Sequence, residues 1–111
     1  MKKVIIFIDD LRIPSLYVDC KNNDVFQAFN YDEFVGILDY VYDKYNKINE
    51  VWFDHDLGED SKSGYDCSKY LVEFCENHNI ELPEWHIQSS NPAGRKNIDS
   101  YLKSYLKSLD L

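Results

Sequence analysis

The chain has 111 residues, of which 44% are hydrophobic, and a formal net charge of −8 at pH 7. Its length fits one domain, which we assign to residues 1–111, and its apolar content excludes a disordered segment. The acidic balance argues against binding to long duplex nucleic acid, which depends on neutralising phosphates, but it allows a local cationic pocket.

A strand is predicted at residues 3–8, where β-branched and aromatic residues form a continuous run between charges. Such a run is typical of a strand buried on both faces of a parallel sheet. The strand leads directly into Asp9 and Asp10, and Arg12 follows after one leucine. Its carboxyl end therefore presents two carboxylates and a guanidinium group.

The stretch between the first two strands is predicted to be irregular. Pro14 interrupts any helix there, and the Asn-Asn-Asp sequence at 22–24 indicates a turn. Residues 15–20 fit a short extended piece, and residues 25–29 are predicted as the second strand.

The first full helix is predicted to begin after Asn30, because Asn30 and Glu33 have the spacing of an N-cap and its reciprocal partner. Apolar residues then recur with a helical period until about residues 46–49. A third strand is predicted at residues 50–54.

The third strand ends in a cluster of charge. The apolar residues 51–53 run directly into Asp54, His55 and Asp56, and a leucine and a glycine follow. In an extended segment Asp54 and Asp56 face the same side and His55 faces the other. Two carboxylates this close require a cation, a proton or a phosphate-bearing ligand with its metal to offset them.

The second half of the chain continues the alternation of helix and strand. Ser63 can cap a helix over residues 64–78, and residues 84–88 are predicted as the fourth strand. The Asn-Pro pair at 91–92 has the pattern of a helix cap followed by proline at the first helical position. This last helix is predicted to extend to about residue 109.

Strands that alternate with helices predict an α/β fold with a four-stranded, mostly parallel sheet. In such sheets ligands bind beyond the carboxyl ends of the strands. If the first, third and fourth strands are neighbours, their polar ends converge in one pocket. The predicted phosphate-binding residues of this pocket are Arg12, Ser89, Ser90, Asn91, Gly94 and Arg95.

The chemistry of these groups indicates a metal ion and a phosphate. A cluster of carboxylates suits a hard cation such as Mg²⁺, or Mn²⁺ in its place, and the predicted ligands are Asp9, Asp10, Asp54 and Asp56. Hydroxyl, amide and free N–H groups at the start of the last helix suit a phosphate. His55 can serve as general acid or base, although a local hydrogen bond in the turn accounts for it equally well.

Taken together, these segments resemble a receiver-like family described as a cyclic-phosphate processing domain, over nearly the whole chain. The resemblance is carried by residues 8–14, 53–58, 63–66 and 89–98. It implies a three-layer, receiver-like (flavodoxin-like) fold that lacks the fifth strand and has a missing or shortened first helix. The chain departs from the family at Gln88, where a histidine often precedes the serine.

The chain also resembles two-component receivers, and that resemblance suggests roles for single residues. It places Asp9 and Asp10 at metal-binding positions, Asp54 at the phospho-accepting position and Ser89 or Ser90 at the switch hydroxyl. The chain has no fifth strand to supply the lysine of true receivers, which disfavours ordinary phosphorelay signalling. We assign the catalytic roles to Asp54, His55 and Asp10.

The family resemblance implies a metal-dependent phosphoesterase that acts on cyclic phosphate ends of RNA or nucleotides. Its partner would be a nucleotide or an RNA end that carries phosphate. Two alternatives stay open. One is a non-catalytic module that binds a phosphorylated nucleotide or signal ligand, and the other is a degenerate receiver used for protein contact.

The cysteines and the apolar runs bear on location. Three cysteines without a CxxC spacing predict a reduced, cytoplasmic chain with no structural disulfide. The longest apolar run, residues 4–8, is too short to span a membrane. The nine tyrosines fit an interface or the core, so the oligomeric state stays open.

Overall fold

The chain folds into alternating strands and helices, and the computed structural model describes residues 2–58 and 62–110. The elements are β1 Val4–Ile8, β2 Asp24–Ala28, α1 Tyr31–Tyr45, β3 Glu50–Phe53, α2 Gly64–His78, β4 Glu84–Ile87 and α3 Pro92–Ser108. Every strand and helix predicted from the sequence is present, with small shifts at the ends. Within the described residues, we find no helix with the length and apolar content needed to cross a bilayer.

The four strands form one parallel sheet in the order β2–β1–β3–β4. Parallel strands all end at the same edge of their sheet, so the carboxyl ends of β1, β3 and β4 lie side by side. This arrangement confirms the α/β fold and the neighbour relation on which the predicted site depends.

All three α-helices pack on one face of this sheet. Successive side chains of a strand point to opposite faces, and the helices share a core with alternate residues of β1 and β3. The buried residues of this core include Ile6, Ile8, Phe53, Phe34, Leu38, Val41, Cys67, Leu71, Phe74, Ile98 and Leu102. The central strands are thereby fixed, together with the polar residues that follow them.

The opposite face of the sheet is covered by the irregular stretch between β1 and β2. The ring of Tyr17 packs against Phe7 and Trp52, with centroid distances of 5.8 and 6.4 Å. The only helical piece of this stretch is a 3₁₀ turn, Pro14–Leu16, which confirms the missing or shortened first helix. The third layer of the fold is therefore an irregular segment.

One local prediction in this segment is wrong. Residues 15–20 do not form an extended piece, because the chain turns at Pro14–Leu16. Proline has its φ fixed near the helical value and lacks the N–H that a first helical residue leaves unpaired, so it suits the first position of such a turn.

The helix caps bring two helix starts to the carboxyl edge of the sheet. Ser63 and Asp66 form a reciprocal capping box at the start of α2. Asn91 accepts a hydrogen bond from the N–H of Gly94, at 3.0 Å, at the start of α3. Both helices follow the loops after β3 and β4, so their N-terminal ends lie beside the predicted site.

Candidate functional site

Three carboxylates meet at the carboxyl edge of the sheet. Asp9 and Asp10 follow β1 and Asp54 follows β3, so the pairing of these strands brings them together. One oxygen of each lies within 4.8 Å of the others. Asp9 is 0% exposed and Asp54 is 4% exposed. Charges this close and this poorly hydrated repel one another unless a cation offsets them.

Hydrogen bonds within the loop after β1 stabilise the ionised form of Asp9. Its Oδ1 accepts hydrogen bonds from the backbone N–H groups of Leu11 and Arg12, each at 2.9 Å. Burial acts to raise the pKa of Asp9, but these N–H groups, with the side chains of Gln88 and Arg12, outweigh burial and lower that pKa. Asp9 therefore stays ionised at neutral pH and orders the turn after β1.

Arg12 supplies one positive charge to the three carboxylates. Its Nη1 lies 3.1 Å from Oδ2 of Asp9 and 3.6 Å from Oδ1 of Asp54. The formal charge of the group is then −3 + 1 = −2, which matches a divalent cation. Its side chain is 25% exposed, so part of the guanidinium remains accessible to a phosphate oxygen.

The charge of Asp54 is less well compensated than that of Asp9. Burial and the neighbouring charges of Asp9 and Asp10 raise the pKa of Asp54. Arg12 and a hydrogen bond from Ser89 act in the opposite direction without cancelling this rise. A bound cation would favour the ionised form of Asp54 and lower its pKa.

An oxygen of Asp10 gives an independent indication of a cation. Its Oδ1 is buried, yet it forms no hydrogen bond with any residue that the structure describes. A buried carboxylate oxygen without a partner is costly. An oxygen-liganded cation such as Mg²⁺ among Asp9, Asp10 and Asp54 would satisfy it. The residues present therefore fit the metal that the sequence implies.

Gln88 belongs to the site, although in the sequence it stood out only as a departure from the family pattern. Its Nε2 donates to the backbone carbonyl of Ile8 at 3.0 Å and lies 3.3 Å from Oδ2 of Asp9. The side chain reaches past the end of β3 to β1, so the contact depends on the sheet order. The sequence feature that could have indicated this role is the position of Gln88, a polar residue at the end of a strand and immediately before Ser89.

We expect Gln88→Leu to weaken Mg²⁺ binding by about tenfold or more, because hydrogen bonds that orient ligating carboxylates commonly contribute this much. Losing the Nε2 donor also raises the pKa of Asp9 relative to the wild type. Calorimetric titration with Mg²⁺ at pH 7 measures the effect. Asn97→Leu, which removes an exposed amide from α3, is the matched control and should bind as the wild type does. Equal affinities in both variants would show that Asp9 needs no support from Gln88.

His55 and Asp56 form a separate group with the start of α3. Nδ1 of His55 lies 3.0 Å from Oδ1 of Asp56, and Nδ2 of Asn91 lies 3.4 Å from Oδ2 of Asp56. A Cβ on Gly94 would overlap Cγ of His55 and lie 2.6 Å from its Cβ, so the α3 backbone packs directly on this ring. Asp56 is outside the group of three carboxylates, and its position lends no support to the predicted metal role.

The predicted phosphate-binding residues are spread over three places. Arg12 and Ser89 contact the carboxylates, and Asn91 and Gly94 form the cap of α3. Ser90 is exposed. Arg95 is also exposed and lines a groove beside β4.

A second group of side chains that could bind a metal lies on the face of the sheet away from the α-helices. Atoms of Glu50, Glu84 and His86 come within 4.8 Å of one another. Nζ of Lys3 lies 2.7 Å from Oε2 of Glu50, and Nε1 of Trp52 donates to Oε1 at 3.0 Å. With Lys3 the two carboxylates keep a formal charge of only −2 + 1 = −1, and none of their described oxygens is buried without a partner as Oδ1 of Asp10 is, so this group does not call for a metal.

One of three comparisons with known proteins found a match. No curated protein and no solved structure matches the chain. A family model described as "Cyclic-phosphate processing Receiver domain" matches residues 4–104, a span that includes β1 to β4 and most of α3. The match contains all three carboxylates as well as Arg12 and Gln88. The chain therefore belongs to the family of cyclic-phosphate processing receiver domains.

Proposed function

We propose that this chain is a metal-dependent phosphoesterase that opens cyclic phosphate ends of nucleotides or RNA. The observation that carries the proposal is the group of Asp9, Asp10 and Asp54, which keeps a formal charge of −3 + 1 = −2 after pairing with Arg12. The substrate class follows from the family description. A net charge of −8 favours a mononucleotide or a single RNA end over a long duplex.

Different residues of the site would bind the metal ion and the phosphate. Asp9, Asp10 and Asp54 would hold Mg²⁺ or Mn²⁺ through carboxylate oxygens. When bound, this ion supplies a Lewis acid that polarises a phosphoryl oxygen and acidifies a water. Arg12 and Ser89, which already contact the carboxylates, would hold the phosphate beside Asp54.

The proposed reaction is hydrolysis. Water adds to phosphorus while the bond from phosphorus to one ribose oxygen breaks, which gives a 2′- or 3′-monophosphate and a free hydroxyl. Asp54 takes the proton of the water. Its pKa is raised by burial and by neighbouring carboxylates, whereas the pKa of Asp9 is lowered, so Asp54 is the better proton acceptor of these two. We assign to His55 the role of general acid, which donates a proton to the departing ribose oxygen.

The test is incubation of the purified chain with 2′,3′-cyclic AMP and with an RNA oligonucleotide that ends in a 2′,3′-cyclic phosphate. We expect monophosphate products with Mg²⁺ or Mn²⁺ and none with excess EDTA. Calorimetric binding of unchanged nucleotide without product would identify a non-catalytic binding module instead. Labelling of Asp54 by acetyl phosphate without turnover would identify a degenerate receiver. Either of these results would overturn the phosphoesterase.

We expect Mg²⁺ affinity to fall with decreasing pH, starting at a higher pH than an ordinary aspartate would give. The pKa of Asp54 is raised above its usual 3.8, so this ligand is protonated at a higher pH than an unperturbed aspartate as the solution is acidified. Asp9, whose pKa is lowered, stays ionised to lower pH. Calorimetric titrations across an acidic pH series measure the change. A loss of affinity that tracks the titration of a free aspartate would contradict the role of Asp54 as a ligand.

We also propose a cytoplasmic location. The cysteines Cys20, Cys67 and Cys75 are free thiols, which persist in reducing compartments. Burial raises the pKa of Cys67 to about 12 and that of Cys75 to about 11, so both are poor nucleophiles at neutral pH. These two cysteines serve packing and take no part in the proposed chemistry.

A further inference from the structure

The outer strand of the sheet, β4, has an open edge. The N–H of Gln88 donates to the carbonyl of Phe53 in β3, at 3.1 Å. The backbone groups of alternate residues point to opposite sides of a strand, so those of Trp85 and Ile87 point away from β3. Across residues 2–58 and 62–110, no backbone group bonds to them. They form a short ladder ready to accept another strand.

A groove of about 360 Å³ runs beside this edge, and α3 forms its second wall with Arg95, Lys96 and Asp99. The carboxylate of Asp99 is already paired, because it lies 2.8 Å from Nζ of Lys103 and accepts a hydrogen bond from Nε1 of Trp85 at 3.1 Å. Arg95 and Lys96 are exposed and form no ion pair in the described part of the chain. The groove thus carries uncompensated positive charge on a chain of net charge −8.

The two faces of an added strand would meet different surroundings. Alternate side chains of a strand point to opposite faces, so one set would face Arg95 and Lys96 on α3. The other set would lie beside His86, whose ring stacks on Trp52 with centroids 4.2 Å apart and whose Nε2 is already held by Oε2 of Glu84 at 2.8 Å. Acidic side chains suit the first surface and apolar side chains suit the second.

We propose that the β4 edge binds an extended acidic segment of a partner protein, in which acidic residues alternate with apolar ones. The segment adds to the sheet as a fifth strand, with main-chain hydrogen bonds to Trp85 and Ile87 and ion pairs to Arg95 and Lys96. This inference does not depend on the proposed phosphoesterase activity. Since Gly94, the residue before Arg95, packs on His55, the bound segment lies beside the start of α3.

The probe is an acetylated and amidated peptide of four Glu-Val repeats, titrated into the ¹⁵N-labelled chain and followed by NMR. We expect saturable shifts of the Trp85 and Ile87 amide signals with a Kd below about 1 mM. Two versions of the peptide, N-methylated at every Glu or at every Val, separate strand addition from charge attraction. One of them should bind at least about tenfold more weakly, because it loses the N–H groups that face β4, and the other should still bind.

The double variant Arg95→Glu with Lys96→Glu should weaken the peptide by at least about tenfold, while Lys107→Glu at the end of α3 should not. Thermal melting shows whether these variants are folded. The inference is overturned if the parent peptide causes no saturable shift up to 1 mM, or if neither N-methylated peptide loses affinity. It is also overturned if a hexauridylate probe shifts the groove signals and the peptide does not, because the groove would then be a nucleic-acid site.

Discussion

Asp54→Asn is expected to abolish phosphoesterase turnover and, at the same time, to stabilise the fold. An amide neither accepts the proton of the attacking water nor adds a negative charge to the cation site. We expect turnover to fall by at least about 1,000-fold, equivalent to about 4 kcal/mol of transition-state stabilisation. The assay is monophosphate release from 2′,3′-cyclic AMP with saturating Mg²⁺.

The gain in stability follows from the raised pKa of Asp54. The pKa of this carboxyl group is higher in the folded chain than in the unfolded chain. Its protonation therefore stabilises the fold fully at pH values below the pKa of the unfolded chain. This stabilisation is lost as the pH rises through the pKa of the folded chain. At pH 7 the ionised Asp54 therefore weakens the metal-free fold. Asparagine removes this repulsion, and we expect the free energy of unfolding to rise by about 1 kcal/mol.

Asp43→Asn is the matched control, because Asp43 is an exposed aspartate on α1 and lies outside the site. It should change neither turnover nor melting temperature appreciably. Without metal, the advantage of Asp54→Asn over the wild type should shrink as the pH is lowered through the pKa of Asp54. Full turnover in Asp54→Asn, or a fold less stable than the wild type at pH 7, would contradict the assigned role of this carboxylate.

Gly64→Ala is expected to cause the largest loss of stability, because α2 begins directly against the backbone of the site. A Cβ at Gly64 would overlap the backbone oxygen of Asp54 and lie 2.7 Å from its carbonyl carbon. The N–H of Gly64 also donates to the carbonyl of His55 at 2.8 Å, so the helix start cannot simply move away. We expect the free energy of unfolding to fall by about 3 kcal/mol, at the upper end of the usual cost of overpacking. Turnover should fall as well, since Asp54 shifts.

Gly36→Ala provides the contrast within the same chain. Gly36 lies inside α1, and a Cβ there would meet no heavy atom within 4 Å. Alanine is the better helix former, so this variant should be more stable than the wild type by up to about 1 kcal/mol. Urea denaturation at pH 7 measures both variants. If Gly64→Ala proved as stable as Gly36→Ala, the close packing of α2 on the site would be refuted.

The strand ends could be predicted from the sequence because their apolar runs stop abruptly at charge. Ile8 is followed by Asp9, and Phe53 is followed by Asp54, so the position of each carboxylate was set by the end of a strand. The remaining step was the order of the strands, and the alternation of strand and helix restricts it strongly. The convergence of Asp9, Asp10 and Asp54 was therefore within reach of sequence reasoning.

The hydrogen-bond and ion-pair partners of these carboxylates could not be predicted from the sequence, because they depend on the directions of side chains beyond the strand ends. Gln88 crosses the end of β3 to contact Asp9, and nothing in its own segment indicates that reach. Arg12 was assigned to a phosphate, but its pairing with Asp9 and Asp54 was not predicted. Alternation along an extended strand predicted that Asp56 faces the metal site together with Asp54, but the carboxylate of Asp56 contacts His55 and Asn91 instead. Alternation along an extended segment fails here because β3 ends at Phe53.

The central claim is that Asp9, Asp10 and Asp54 hold one divalent cation, and a crystal of the chain grown with Mn²⁺ tests it most directly. Anomalous diffraction locates Mn²⁺ without reference to activity. We predict one anomalous peak within coordination distance, about 2.2 Å, of oxygens from all three carboxylates, including Oδ1 of Asp10. An empty site at saturating Mn²⁺, or a peak only at Glu50, Glu84 and His86, would contradict the account.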